Sequence, residues 1–229
     1  MKIGFKDLSL PEGKTKYNDP RMQKLVEKCQ PKKVSPYYVE FLKEDFVQAE
    51  AIAIARASIL DLLILDIEKC ENRLERIESD AEKDALEKCL RLLETEKPFC
   101  DAGLGAGEKS AIDQLGLLSL KPVVMFDEIA SVDNAIEQCL EKAGIVFFYT
   151  AGPKEVHAWQ VKKDADIVTC AGRIHTDLAR GFIKGDIASF DDFLSCHNWN
   201  DCQRKGLVKV VDRDYTIKPG DIIEIRFAV

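Results

Sequence analysis

The sequence predicts an α+β chain in which a helical hairpin is followed by a mixed sheet, and three observations carry that expectation. From about Glu44 to Glu78 there is no glycine or proline, and Leu60, Leu63, Ile67, Cys70, Leu74 and Ile77 fall three or four apart, which draws one apolar stripe along a helix. Ala81, Ala85, Leu86, Cys89, Leu90 and Leu93 repeat the pattern before Pro98, and the short break at Ser79-Asp80 forces the second helix back antiparallel. Beyond Gly144, strand-like runs at Ile145–Tyr149, Glu155–Val161, Asp186–Ser189, Leu207–Val211 and Ile222–Phe227 surround one helical stretch over roughly Ala165–Arg180. Strands grouped around one helix describe a mixed sheet rather than an alternating β-α-β array.

Taken in order, the chain opens with strand-like stretches at Lys2–Leu10 and Pro36–Leu42, separated by the turn formers Pro11, Gly13, Asp19 and Pro20. Pro20–Lys28 reads as a short helix between them. The hairpin follows over 46–97, its outer face carrying Glu68, Lys69, Glu71, Arg73, Glu75, Arg76, Glu82 and Lys83 as solvated decoration. Asp101–Gly107 is glycine-rich, Ser110–Leu115 restarts a helix, and Val123-Val124-Met125-Phe126 is an apolar run bounded by turns, suited to a buried strand. Val132–Ala143 is amphipathic and closed by Gly144. The expected organisation is therefore 1–45 with 98–143, then 46–97, then 144–229.

Composition narrows the function. With 229 residues, 46% hydrophobic and 32% charged, the chain can bury a real core. Its formal charge of -7 excludes a wholly basic nucleic-acid coat. Residues 151–229 hold twelve basic and twelve acidic side chains, which leaves 21 basic and 28 acidic in residues 1–150. Any nucleic-acid contact is accordingly expected from the C-terminal third. No apolar run approaches the roughly 20 residues that span a bilayer, and the first residues lack the apolar core of a secretory signal. A cytoplasmic address is expected, with the eight cysteines reduced and mostly serving as small core fillers.

The C-terminal third carries a resemblance. Thr150-Ala151-Gly152-Pro153-Lys154-Glu155-Val156-His157-Ala158-Trp159, Ala171-Gly172-Arg173-Ile174-His175-Thr176-Asp177, Gly181-Phe182-Ile183, Asp191-Asp192-Phe193, Lys218-Pro219-Gly220-Asp221-Ile222 and Arg226-Phe227 resemble, in order and spacing, the C-terminal TGS domain of the YchF family of Obg-related P-loop NTPases. The resemblance implies a β-grasp fold that acts as an RNA-binding, ribosome-binding or regulatory module. A weaker likeness reaches further back. Asp19-Pro20-Arg21-Met22, Pro31-Lys32-Lys33 and Val39-Glu40-Phe41 look like the family's second and third G-domain strands with the helix between them. Ile59–Leu74 looks like its helical arm, and Lys121-Pro122-Val123-Val124 like its fifth strand. The fold expected from the resemblance is a truncated G-domain remnant, an antiparallel coiled-coil hairpin and a β-grasp (TGS) domain.

The nucleotide motifs of that family do not appear in working form. Leu10-Pro11-Glu12-Gly13-Lys14-Thr15 ends as a P-loop ends, but Leu8 stands where the first glycine is needed, and a Cβ there blocks the wrap around phosphates. Thr15 is followed by Lys16-Tyr17-Asn18-Asp19-Pro20 rather than by a helix whose amides would face a phosphate. After Val39-Glu40-Phe41 comes Leu42-Lys43-Glu44-Asp45-Phe46, which is expected to enter a helix directly, with Asp45 a solvated helix-start carboxylate. Met125-Phe126-Asp127-Glu128 replaces the base-reading motif. Hydrolysis by the chain alone is not expected, so no catalytic residue, cofactor or metal is assigned.

Cys196-His197-Asn198-Trp199-Asn200-Asp201-Cys202 places soft ligands close together, but the spacing is no zinc-finger pattern and reads as a loop with partly buried thiols. His157 and His175 have no nucleophile arranged beside them. The candidate partner-binding residues are Lys154, Arg173, His175, Arg180, Lys184, Trp199 and Arg204, the cations for phosphate contacts and Trp199 as an exposed stacking aromatic in a polar loop. The leading expectation is a non-hydrolysing binding protein engaging RNA, the ribosome or a protein partner. Two others stand beside it: a residual ATP or GTP binder, and a structural protein that forms a homodimer through its apolar stripes.

Overall fold

A computed structural model describes residues 1–228. In chain order its elements are β1 (Lys2–Lys6), β2 (Gly13–Lys16), α1 (Pro20–Cys29), β3 (Lys33–Ser35), β4 (Tyr38–Lys43), β5 (Ala51–Ala55), α2 (Ile59–Leu74), α3 (Asp80–Leu93), α4 (Ala106–Ile112), β6 (Val123–Phe126) and α5 (Val132–Lys142). Then follow β7 (Ile145–Ala151), β8 (Glu155–Lys162), α6 (Ile167–Ile174), α7 (Thr176–Arg180), β9 (Phe182–Ala188), α8 (Phe190–Ser195), α9 (Trp199–Arg204), β10 (Lys209–Val211) and β11 (Ile222–Phe227). The fold is α+β, as the sequence predicts. Two compact units divide it: Met1–Thr15 with Val39–Ala143, and Lys16–Tyr38 with the chain from Gly144 onward. Among the described residues no helix is long and apolar enough to cross a membrane.

The first unit is built on a five-stranded sheet in the order β2-β4-β1-β5-β6, with β4, β1, β5 and β6 mutually parallel. Parallel strands are covered on both faces, so they read as unbroken apolar runs. Ala51, Ile52, Ala53 and Ile54 are all buried. This strand corrects the expectation that the chain passes from Leu42 straight into a helix: α2 begins only at Ile59. The misreading has a physical cause, because a segment of alanine and isoleucine without glycine or proline satisfies a helix as readily as a strand until its neighbours are known. Here Ile52 and Ile54 turn to the core shared with the hairpin. Gly4 in β1 allows the return from β4 to pass close, since a Cβ there would lie 3.0 Å from the Asp45 carbonyl and from the Ala49 methyl.

Helices α2 and α3 pack on each other, joined by residues 75–79. Leu62, Leu63 and Cys70 of α2 meet Leu86, Cys89 and Leu93 of α3 in one core with Ile52, Ile54 and Val123 of the sheet. The buried stripe on α2 is offset from the expected one, because it serves the sheet as well as α3. Leu60, expected in the seam, is 42% exposed, while Ile59 beside it is buried. Asp66 sits within that stripe, fully buried.

The second unit carries a six-stranded sheet in the order β10-β9-β11-β7-β8-β3. Its β7–β8, β9–β11 and β9–β10 pairs are antiparallel, and β11–β7 and β3–β8 are parallel. The sixth strand comes from the excursion Lys16–Tyr38, which the sequence reading assigned to the first unit. It is held here by specific contacts: Lys33 pairs with Glu155 at 2.9 Å, Ser35 Oγ donates to Glu155 Oε1 at 2.6 Å, and Val34 lies opposite Val156. Within the excursion α1 starts cleanly, with Pro20 in its first turn and the Asp19 carboxylate accepting Arg21 N–H at 2.9 Å. Met22 and Leu25 of α1 join Tyr149, Val156, Phe193 and Ile222 on one face of the sheet. Phe148, Ile167, Cys170, Ile187 and Ile223 fill the other.

Candidate partner-binding surface

The Gly13-Lys14-Thr15 string lies in β2, at the edge of the first sheet. Six residues, 7–12, separate it from β1. Gly13 takes φ +92° with open space around it, and Thr15 Oγ1 donates back to its own Gly13 carbonyl at 3.5 Å. Successive amides of an extended strand point in opposite directions, so this segment does not gather them around an anion. Asp45 is a turn former rather than a helix start, its Oδ1 accepting Gln48 N–H at 3.1 Å. Asp127 is bound to Arg56, Nε to Oδ1 at 2.8 Å.

All seven candidate binding residues lie in the second unit. The continuous helix expected near Ala165–Arg180 is broken between Ile174 and Thr176. Helix α6 ends at Ile174, and His175, extended at φ -163°, becomes the N-cap of α7 by accepting Asp177 N–H on Nδ1 at 3.2 Å. His175 is therefore a helix starter rather than the late-helix cation that the sequence suggested. Arg173 is exposed on the last turn of α6, and Arg180, at the end of α7, bonds Asp177 Oδ1 at 2.7 Å. Arg173 and His175 thus lie at the α6–α7 junction, and Arg180 at the far end of α7.

The other four stand apart. Lys184 on β9 is paired with Asp212. Arg204 on α9 donates to Asp201 Oδ1 at 3.1 Å, and Lys205 reaches the same carboxylate at 3.0 Å. Lys154 is exposed in the turn between β7 and β8. Trp199 corrects the expectation of an exposed stacking aromatic: it is half-buried, its ring 6.1 Å from that of Phe193, and its Nε1 is buried without a hydrogen-bond partner. Lys154 and Trp199 nevertheless share a feature that the sequence did not signal. Both line a groove of about 610 Å³ beside β11, with Ile174, Leu178 and Glu224.

The cysteine cluster is structural. Cys196 and Cys202 are buried, Cys202 Sγ approaches the Asp192 carbonyl at 3.8 Å, and burial pushes its thiol up to about 12. Such a thiol is inert at neutral pH. Among the described residues no group of three or more histidine, cysteine or acidic side chains is placed to hold a metal. The turn is organised by Asp201, whose Oδ2 accepts His197 N–H at 2.9 Å. That backbone bond, followed by Lys205 and Arg204, holds the carboxyl down to about 2 from an ordinary 3.8. A lowered carboxyl stabilises the folded turn fully above its ordinary value and stops doing so as pH falls through the folded one. The expected result is that NMR titration of Asp201 shows a midpoint near that value, and that Asp201→Asn speeds exchange of the His197 amide at neutral pH. A midpoint at the ordinary value would contradict it.

Comparison with known proteins matches the family model YchF-GTPase_C, described as "Protein of unknown function (DUF933)", to residues 145–228. The "Ribosome-binding ATPase YchF" of Escherichia coli O157:H7 is 28% identical over 233 residues, covering 74% of this chain and 64% of that relative. The chain is similar to proteins of the YchF family, and the family model matches its C-terminal segment. The protein of the same description from Bacillus subtilis (strain 168) is 25% identical over 237 residues, covering 74% of this chain and 65% of the relative. "Obg-like ATPase 1" of Xenopus laevis is 41% identical over 81 residues, 35% of the chain and 20% of that protein. The structure of the Schizosaccharomyces pombe YchF GTPase matches with a TM-score of 0.77 at 18% identity, covering 99% of this chain and 97% of that one, a likeness of fold. The chain thus spans just under two thirds of the E. coli relative. All seven candidate binding residues fall inside the segment matched by the family model.

Proposed function

We propose that this chain is a cytoplasmic binding protein that engages RNA or the ribosome through the unit from Gly144 onward, read as a β-grasp (TGS) module, and that it does not itself hydrolyse a nucleotide. The observation that carries the second half is the placement of Gly13-Lys14-Thr15 in an edge strand instead of a turn opening a helix. The first half is supported by Arg173 and Arg180, both exposed on the two short helices that meet at the α6–α7 junction, and by relatives described as ribosome-binding. Phosphate contacts by such residues release counterions, so association weakens as salt rises.

Co-sedimentation of the purified chain with ribosomes tests this reading. Affinity is expected to fall about tenfold between roughly 50 and 150 mM salt, the behaviour of two or three phosphate contacts. Arg173→Gln with Arg180→Gln is expected to weaken binding and flatten the salt dependence, while leaving the His175 cap in place. Absence of association at the lowest salt would contradict the proposal.

A further inference from the structure

The outer face of α2 is not uniform decoration. Leu60, Ile64, Glu68, Glu71 and Glu75 follow one another at steps of four, four, three and four, so they form one line along the helix and its C-cap. The first half of that line is apolar. Leu60 and Ile64 are 42% and 47% exposed, and Leu65 beside them is 41% exposed, while Leu62, Leu63 and Cys70 fill the core on the other side of the helix. The second half is acidic and open to solvent.

Two observations mark the acidic half as unsatisfied. The cations of α2 are engaged elsewhere, since Lys69 Nζ donates to the Gly116 carbonyl at 2.6 Å and Arg73 pairs with Glu82 of α3 at 2.9 Å. Among the described residues no ion pair reaches Glu68, Glu71 or Glu75, whereas Glu87 on α3 has Arg91 one turn away at 3.6 Å. The three acids also stand three and four residues apart, where like charges repel, and toward the end of the helix where its carbonyls are already negative. Both arrangements weaken the helix, and a cation brought against this face relieves both.

We propose that this face of α2 receives an amphipathic helix of a partner protein, with apolar side chains one turn apart that cover Leu60 and Ile64, and lysines or arginines further along the same side that meet Glu68, Glu71 and Glu75. Charge complementarity decides among the occupants. RNA brings phosphates to three carboxylates. A second copy fits no better: laid parallel it sets acids on acids, and laid antiparallel it brings them to the start of α2, where Lys6 is already held by Asp61 at 2.6 Å and Arg56 by Asp127 at 2.8 Å. The surface lies in the first unit, so the inference is independent of the phosphate contacts assigned to Arg173 and Arg180.

The probe is an acetylated and amidated alanine-based helix of about 18 residues, with two leucines one turn apart and three lysines spaced after them on the same face, titrated into the full chain at low salt and followed by NMR. A control peptide of the same composition spreads its leucines and lysines around the helix. Saturable binding is expected, with shifts centred on Leu60, Ile64, Glu68 and Glu71, and the control is expected to bind about tenfold more weakly. Ile64→Ser is expected to weaken the parent peptide about tenfold at an unchanged urea midpoint, because this side chain is half exposed. Glu68→Gln with Glu71→Gln, both at exposed positions, is expected to weaken it about tenfold and to flatten its salt dependence. No saturable binding, equal binding of the control, shifts confined to other acidic surfaces, the same shifts with oligouridylate, or shifts at Leu60 and Ile64 that grow with protein concentration in the absence of peptide would each overturn the proposal.

Discussion

Replacing Asp66 with alanine is expected to cost about 4 kcal/mol of folding stability, from two orphaned amides and a void. Asp66 lies in the middle of α2, fully buried. Its Oδ1 accepts Leu118 N–H and its Oδ2 accepts Ser119 N–H, both at 2.7 Å. Those amides open the 3₁₀ turn Leu118–Leu120, so one helix supplies the N-terminal cap of a turn 52 residues further along. Alanine leaves both N–H groups buried without water or acceptor. Asparagine keeps one acceptor and turns an amide donor toward the other N–H, and about half of the loss is expected. Urea denaturation at neutral pH measures both, as a lower midpoint at unchanged slope. A loss below about 1 kcal/mol for Asp66→Ala would mean that the turn finds other acceptors.

The second large effect is expected at high pH. Tyr149 is 1% exposed, and its hydroxyl donates to the buried Asp19 carboxylate, which also caps α1. Burial first, then the Asp19 charge, pushes the phenol far above its ordinary 10. A phenol raised in this way contributes its stability fully below the unfolded value. As pH climbs past that value the unfolded chain ionises and the folded chain does not, so stability falls by up to about 1.4 kcal/mol per pH unit. Tyr149→Phe removes a bond to a charged partner and is expected to cost about 2 kcal/mol at neutral pH. It is also expected to reduce the alkaline slope. Some slope remains, because burial and then Asp221 raise the Tyr215 phenol in the same direction. Urea midpoints measured from neutral pH to about pH 11 test both parts, and an unchanged alkaline slope in the variant would contradict them.

The parts of the fold that the sequence made legible are those whose signal is local and periodic. The stripes on α2 and α3 stand three and four residues apart, the break at Ser79-Asp80 is short, and Pro20 with Asp19 marks the start of α1. What stayed hidden depends on distant partners. Ser35 and Glu155 meet across 120 residues, and nothing near Lys33–Ser35 announces that this strand joins the second sheet. Ala51–Ala55 became a strand through its parallel neighbours β1 and β6, not through its own composition.

The candidate surface divides in the same way. The basic residues were read correctly as residues but not as charges, because Asp177, Asp212 and Asp201 were invisible as their partners. Trp199 was taken as exposed from its polar neighbours His197, Asn198 and Asn200, whereas packing on Phe193 decides its place.

Calorimetric titration of the purified chain with ATP and GTP in the presence of Mg²⁺ bears most directly on the assignment of Gly13-Lys14-Thr15 to an extended edge strand. The predicted result is no saturable heat with either nucleotide and no release of phosphate. Tight binding with turnover, abolished by Lys14→Ala, would show that this segment cradles a triphosphate after all.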